Sequence, residues 1–149
     1  MDRVETAVHI ENELTVIKKF CDIKQCGFIK LPKFDIDFLI HRDGDGVAFA
    51  EVKCRTHNYE HFPTQFLSFH KYQKLKDCGR WLPAYFICQY TDGIYIINVN
   101  DIPLNNIKLG GRNNPRPYCP NDVEYLIHFD RSLMKKIGNN WTQLFLSSS

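Results

Sequence analysis

The chain has 149 residues, 44% of them apolar and 24% charged, with a formal net charge of +2. That length fits one domain with a core of its own, and so small a net charge neither demands nor excludes a nucleic-acid partner. No apolar run approaches the ~20 residues of a membrane span and MDRVETAVHIENEL holds no signal-peptide core, so a soluble, cytoplasmic-type protein with no membrane partner is expected.

Along residues 3 to 21, Ala7, Ile10, Leu14, Ile17 and Cys21 recur at helical spacing and predict an amphipathic helix, with Gly27 as a stop. Phe34 to Ile40 then alternates apolar residues with Asp35 and Asp37, the pattern of a strand. The Asp-Gly pairs in His41-Arg42-Asp43-Gly44-Asp45-Gly46 predict a hairpin turn into a second strand that carries Glu51-Val52-Lys53. Side chains alternate along a strand, so Glu51 and Lys53 share a face and Val52 points away. Folding at the turn brings the Asp face of one strand beside the Glu-and-Lys face of the next.

RTHNYEHFPT lacks periodicity and reads as a loop. Ser68 is positioned to cap a second helix, FHKYQKLKDC, ended by Gly79, with Phe69, Tyr72 and Leu75 toward the core. PAYFICQYTDGIYIINVN predicts two strands joined at Asp92-Gly93. Residues 101 to 122 are rich in Asn, Gly and Pro and exceed the usual connection length, which favours a binding loop or a partly disordered segment. VEYLIHF reads as a short strand and SLMKKIGNNW as a last helical turn or two. The whole predicts an α/β fold with a mixed central sheet of about four to five strands flanked by helices.

The six cysteines, Cys21, Cys26, Cys54, Cys78, Cys88 and Cys119, show no CxxC and no pairing with closely spaced histidines, so reduced structural thiols are expected rather than a zinc site. His57, His61 and His70 lie near the Glu-and-Lys strand in sequence, and polar surface roles are expected for them.

Phosphodiester hydrolysis needs an in-line water, charge withdrawal from the phosphate and relief for the leaving oxyanion. Magnesium supplies much of this and is typically held by one or two carboxylates plus the substrate phosphate. An Asp at the end of one strand and a Glu on its neighbour are such a pair. A lysine ~6 to 7 Å farther along the same face can orient the water or offset growing charge.

An Asp followed by ExK on a hairpin between two helices resembles the PD-(D/E)XK nuclease superfamily over about residues 4 to 100. Small phage-type members are similar over a longer stretch: Asp37-Phe38-Leu39-Ile40, Glu51 to Arg55, Pro63-Thr64, Ser68 with Lys71, Asp92-Gly93 and Gly110-Gly111-Arg112. Ile36 stands where the superfamily's name has Pro. The resemblance implies a restriction-endonuclease-like core, with Asp37, Glu51 and Lys53 catalytic and Asp37 and Glu51 holding Mg2+ or Mn2+. Glu11-Asn12-Glu13-Leu14 matches the Glu-x-x-Leu of the first helix in many members and adds Glu11 to that shell, with Glu13 the alternative. Asp35 is the alternative to Asp37. Gln65 and Lys71 are further candidates, expected to face the site from the second helix.

Double-stranded DNA is the implied partner, with phosphate contacts expected from Arg55, Lys71, Lys74, Lys76 and Arg80 in one group. Lys108, Arg112 and Arg116 form another, in the Asn-rich loop that best suits base recognition. The expected layout is a single nuclease domain over 1–149, with a DNA-contacting loop and C-terminal extension at 101–149. In size and plan the chain is similar to the phage group and to a homing endonuclease borne on a cyanobacterial tRNA intron. One active site per chain requires a homodimer or homotetramer to cut both strands. The first expectation is a site-specific DNA endonuclease of homing type. The alternatives are a structure-specific nuclease, such as a Holliday-junction resolvase or phage DNA-processing enzyme, and a non-catalytic DNA-binding module.

Overall fold

The computed structural model describes residues 7–32, 36–111 and 123–137. The first helix, α1 (Ala7–Lys24), ends where Gln25 turns left-handed at φ 54°. Gly27 is not the helix stop but opens β1 (Gly27–Lys30), where a Cβ would lie 2.3 Å from the His41 ring. That strand was not expected from the sequence, because four residues are too few for alternation to register.

Next come β2 (Phe38–Arg42) and β3 (Asp45–Cys54), joined by Asp43 at φ 52° and Gly44 at φ 86°. Two left-handed residues give the turn the twist of its flanking strands, as the Asp-Gly signal predicts. The chain continues through β4 (Thr64–Ser68), α2 (Phe69–Cys78), β5 (Ala84–Tyr90) and β6 (Gly93–Asn98). Residues 101 to 122 are not all loop, since β7 (Ile107–Gly111) pairs with β8 (Val123–Asp130). Among the described residues, the expected terminal helix is a 3-10 turn at Arg131–Leu133 followed by β9 (Lys135–Lys136). Residues 138–141 of that expectation lie outside the described residues.

Six strands form a mixed sheet in the order β1-β2-β3-β5-β6-β9, with β3 and β5 parallel and the connection between them running through β4 and α2. Strands β4, β8 and β7 form a second, three-stranded sheet. The mixed sheet flanked by helices is the expected fold class, with more strands than the four to five anticipated.

Each face of the large sheet is covered differently. On one, Val16, Ile17, Phe20 and Cys21 of α1 pack on Phe38, Ile40, Ala48, Ala50, Val52 and Ile87. On the other, Tyr72 and Leu75 of α2 and Leu67, Ile127 and Phe129 of the small sheet pack on Phe86, Cys88, Tyr90 and Ile97. Val52 therefore faces α1, and the opposite parity of β3, with Glu51 and Lys53, faces α2 and the small sheet.

Helix α2 has the predicted bounds, but Ser68 does not cap it. Its hydroxyl donates instead to Glu124 Oε2 at 3.2 Å, because Ser68 is also the last residue of β4, beside β8.

Candidate active site

Two buried carboxylates meet at the β2–β3 pair. Asp37, 3% exposed, stands just before β2, and its Oδ2 accepts a hydrogen bond from the Val52 backbone N–H at 2.9 Å. Phe38 pairs with Ala50 across the two strands, so this bond is a short reach over the sheet and holds the Asp37 carboxylate beside Glu51. Lys30 Nζ, on β1, lies 3.6 Å from Asp37 Oδ1.

Glu51 is 2% exposed. Lys71 Nζ, from the first turns of α2, stands 3.4 Å from Glu51 Oε1, an ion pair outside hydrogen-bond geometry. That oxygen has no hydrogen-bond partner among the described residues. Burial in a medium that solvates charge poorly lifts the Glu51 carboxyl from 4.5 to about 8, and the negative charge of Asp37 adds to the rise. Lys71 and Lys53 pull it down and Glu13 pushes it up, so all four of these charges surround Glu51.

The sequence candidates divide accordingly. Asp37, Glu51, Lys53 and Lys71 come together, with Glu13 of α1 within electrostatic reach. Glu11 lies on α1, but its side chain is outside the described residues, as are Asp35, Arg112 and Arg116. Gln65 is buried on β4, not on the second helix as expected, and pairs with Phe129 of β8. Arg55 is turned in toward the small sheet, donating to the Phe66 carbonyl at 3.0 Å with its guanidinium 4.6 Å from the Phe66 ring centre. Lys74 sits half-buried on α2 and Lys108 is exposed on β7. Lys76 donates to Asn100 at 2.9 Å, and Arg80 pairs with Asp77 at 3.3 Å on the surface.

Lys30 was missed as a neighbour of Asp37 because the β1 that carries it is too short to read. Among the described residues no three acidic, histidine or cysteine side chains converge as a ready metal cage. Magnesium needs fewer, since it keeps most of its waters and takes one or two carboxylates. Two close carboxylates, one with a buried oxygen lacking a hydrogen-bond partner, are an oxygen donor set of that kind. No helix among the described residues is long and apolar enough to cross a membrane.

In fold, the chain is similar to the Holliday junction resolvase Hjc of Archaeoglobus fulgidus, with a TM-score of 0.55 at 14% identity over 85% of this chain and 90% of that one. The nuclease D212 from a fusselovirus is similar at a TM-score of 0.49 and 14% identity, over 99% of this chain and 95% of that one. No curated protein sequence matches. A sequence model of a family of phage PDDEXK endonucleases matches residues 1–137, nearly the whole chain and all of the elements above. The protein is thus a nuclease, a member of the phage PDDEXK endonuclease family.

Proposed function

We propose that the chain is a divalent-metal-dependent DNA endonuclease that hydrolyses phosphodiester bonds at the Asp37–Glu51 site. The observation that carries the metal dependence is the Glu51 carboxylate, buried beside Asp37 with an oxygen that no described donor satisfies. Two such charges are costly side by side unless a cation joins them. Asp37 and Glu51 would hold Mg2+ or Mn2+, with a first-helix carboxylate, Glu11 or Glu13, completing the shell. The ion supplies Lewis acidity at the phosphate and lowers the pKa of a bound water.

The protein's own groups do the rest. The Val52 N–H fixes Asp37 Oδ2, and Oδ1, 3.6 Å from Lys30 Nζ, is the oxygen that would face the ion. Lys71 offsets part of the Glu51 charge and so keeps that carboxyl ionised nearer neutral pH. Lys53, one strand pleat beyond Glu51, orients the attacking water or offsets charge growing on the phosphate. Lys74 on α2 and Lys108 on β7 would contact backbone phosphates. A single such site cuts one strand, so cleavage of a duplex calls for two copies of the chain.

Of the two target classes, structure-specific cutting is favoured by a described feature, a cleft with exposed aromatic rings at the end of β3 beyond Lys53, lined by Arg55, Phe62 and Phe66. Site-specific cutting of homing type rests on Arg112 and Arg116, which lie outside the described residues.

The test is cleavage of linear duplex, flapped and four-way junction DNA by the purified chain in magnesium, in EDTA and as Glu51→Gln. Cutting of at least one DNA in magnesium and none in EDTA or by the variant is expected. Equal cutting in EDTA would remove the metal, and no cutting of any DNA would remove the proposal.

A further inference from the structure

On the α2 side of β3, Glu51 and Lys53 are followed at the same parity by Arg55, so the row leads out of the carboxylate site along the strand. It ends in a cleft of about 450 Å³ whose walls include Arg55, His57, Phe62, Gln65, Phe66 and His128. The volume falls in the range of small-molecule sites and suits one flat heterocycle rather than a helix or a strand.

The rings that line it are exposed, and the loop that carries two of them is tied down. Phe62 is 48% exposed and Phe66 37%, against an interior where most aromatic rings are covered. Phe62 meets His57 edge-to-face at 4.9 Å and His61 at 4.4 Å. Phe66 lies 5.5 Å from the His128 ring. The loop is held by Arg131, which donates to the carbonyls of Glu60 and Phe62 at 2.7 and 3.1 Å. Tyr59 adds a stack on Tyr95 at 4.0 Å and a hydrogen bond to the Arg131 carbonyl. His57 is bridged to the β5–β6 turn through its carbonyl, which accepts from the Thr91 N–H at 3.1 Å.

Two buried nitrogens of the cleft-lining residues have no hydrogen-bond partner among the described residues. Gln65 is 2% exposed and its Nε2 has no hydrogen-bond partner among the described residues, and neither has Arg55 Nε. Exposed aromatic faces, an arginine stacked on one of them and amide and guanidinium donors at the wall are the equipment with which proteins hold unpaired nucleobases. From Glu51 to Arg55 is ~13 Å at ~3.3 Å per strand residue, the span of about four stacked nucleotides and fewer unstacked ones.

We infer that this cleft receives an unpaired nucleobase of the DNA substrate, so that the enzyme cuts within about four nucleotides of a site where a base is out of the helix. The inference rests on the nuclease proposal for its consequence, but the cleft's occupancy can be read without cleavage. Stacking of one base on an aromatic side chain is worth ~1–3 kcal/mol, which is a factor of roughly 5 to 150.

The experiment uses the full chain and two duplexes that differ by one central unpaired 2-aminopurine. Cleavage rates and cut positions are read in magnesium, and 2-aminopurine fluorescence in EDTA. The bulged duplex should be cut at least fivefold faster, within four nucleotides of the unpaired base, with a change in fluorescence on binding. Phe62→Ala should bring the ratio toward one and remove the fluorescence change, and Phe62→Trp should restore both. Phe62 is half exposed, so neither change should disturb folding. Equal cutting of the two duplexes by the wild type, or an unchanged ratio in Phe62→Ala, would overturn the inference. If neither duplex is cut, the nuclease proposal is decided separately by the flapped and four-way junction DNAs. The cleft then stands or falls on whether the fluorescence change appears in the wild type and vanishes in Phe62→Ala.

Discussion

Replacing Glu51 by Gln should stabilise the metal-free protein at alkaline pH while ending cleavage. Burial and the charge of Asp37 lift the folded-state Glu51 carboxyl from 4.5 to about 8. A raised value means that the folded chain holds this proton more tightly than the unfolded one. Glu51 therefore favours folding fully below about pH 4.5, and that contribution is lost as pH rises through 8. Above that, the ionised carboxylate is a net cost, bounded at ~5 kcal/mol by ~1.4 kcal/mol per pH unit.

A glutamine removes the charge but leaves an amide in the same tight space, and an unmet buried polar group costs about 1–3 kcal/mol. The net gain at pH 9 is then on the order of 1–3 kcal/mol, or roughly 3–10 °C in melting temperature for a chain of this length. The measurement is thermal unfolding of both proteins in EDTA at pH 5, 7 and 9. The difference should be small at pH 5 and grow with pH. Adding magnesium should raise the melting temperature of the wild type well above any change in the variant, because only the wild type has both carboxylates to bind it. A variant no more stable than the wild type at pH 9, or a difference that does not change with pH, would refute the electrostatic reasoning.

Asp37→Asn should also end cleavage yet fold within about 1 kcal/mol of the wild type, because an amide oxygen can still accept from Val52 N–H. Asp37→Ala strands that buried N–H and should cost about 1–3 kcal/mol, readable by urea denaturation. Lys71→Met removes a charge that lowers the Glu51 pKa, so the acidic limb of the rate-against-pH profile should move to higher pH; an unmoved limb would separate Lys71 from the site. Calcium should support DNA binding in a gel-shift assay but not cutting, since its looser coordination can bridge carboxylate and phosphate without the tight geometry of magnesium, and brisk calcium-supported cleavage would contradict this.

The elements that could be read from the sequence are those whose signal is local. The Asp43-Gly44 turn needs two left-handed residues, and few residue pairs supply them so readily. The α2 helix is long enough for Tyr72 and Leu75 to mark a face and is closed by Gly79. The strands that escaped are the short ones and those whose partners are distant. β4 ends directly at the first residue of α2, so its alternation merges with helical spacing. β7 is recognisable only through β8, and the chain between them hides the pairing. Ser68 shows the same limit at one residue: its type and position suit a helix cap, and Glu124 of a strand 56 residues downstream claims its hydroxyl instead.

The candidate site is legible for a related reason. A carboxylate in an otherwise apolar strand conflicts with folding, and such conflicts collect where function requires them. Asp37 and Glu51 each break the apolar run around them, so they stand out in one dimension. Their compensating groups do not, because Lys71 is an ordinary polar position of an amphipathic helix and Lys30 sits on a four-residue strand. The cleft beyond Lys53 is harder still, since it is assembled from the end of β3, the loop after it, β4 and β8. No stretch of sequence contains its pattern. What connects cleft to carboxylates is the two-residue period of β3 carried one residue past its end: Glu51 lies beside Asp37, Lys53 is close enough for its charge to act on Glu51, and Arg55 reaches the aromatic wall, each one pleat from the last. A single-residue slip of β3 against β2 would turn all three onto the α1 face and bury them among Val16, Ile17 and Phe20. The Asp37 bond to Val52 N–H opposes that slip and so holds both the carboxylate pair and the register on which the row depends.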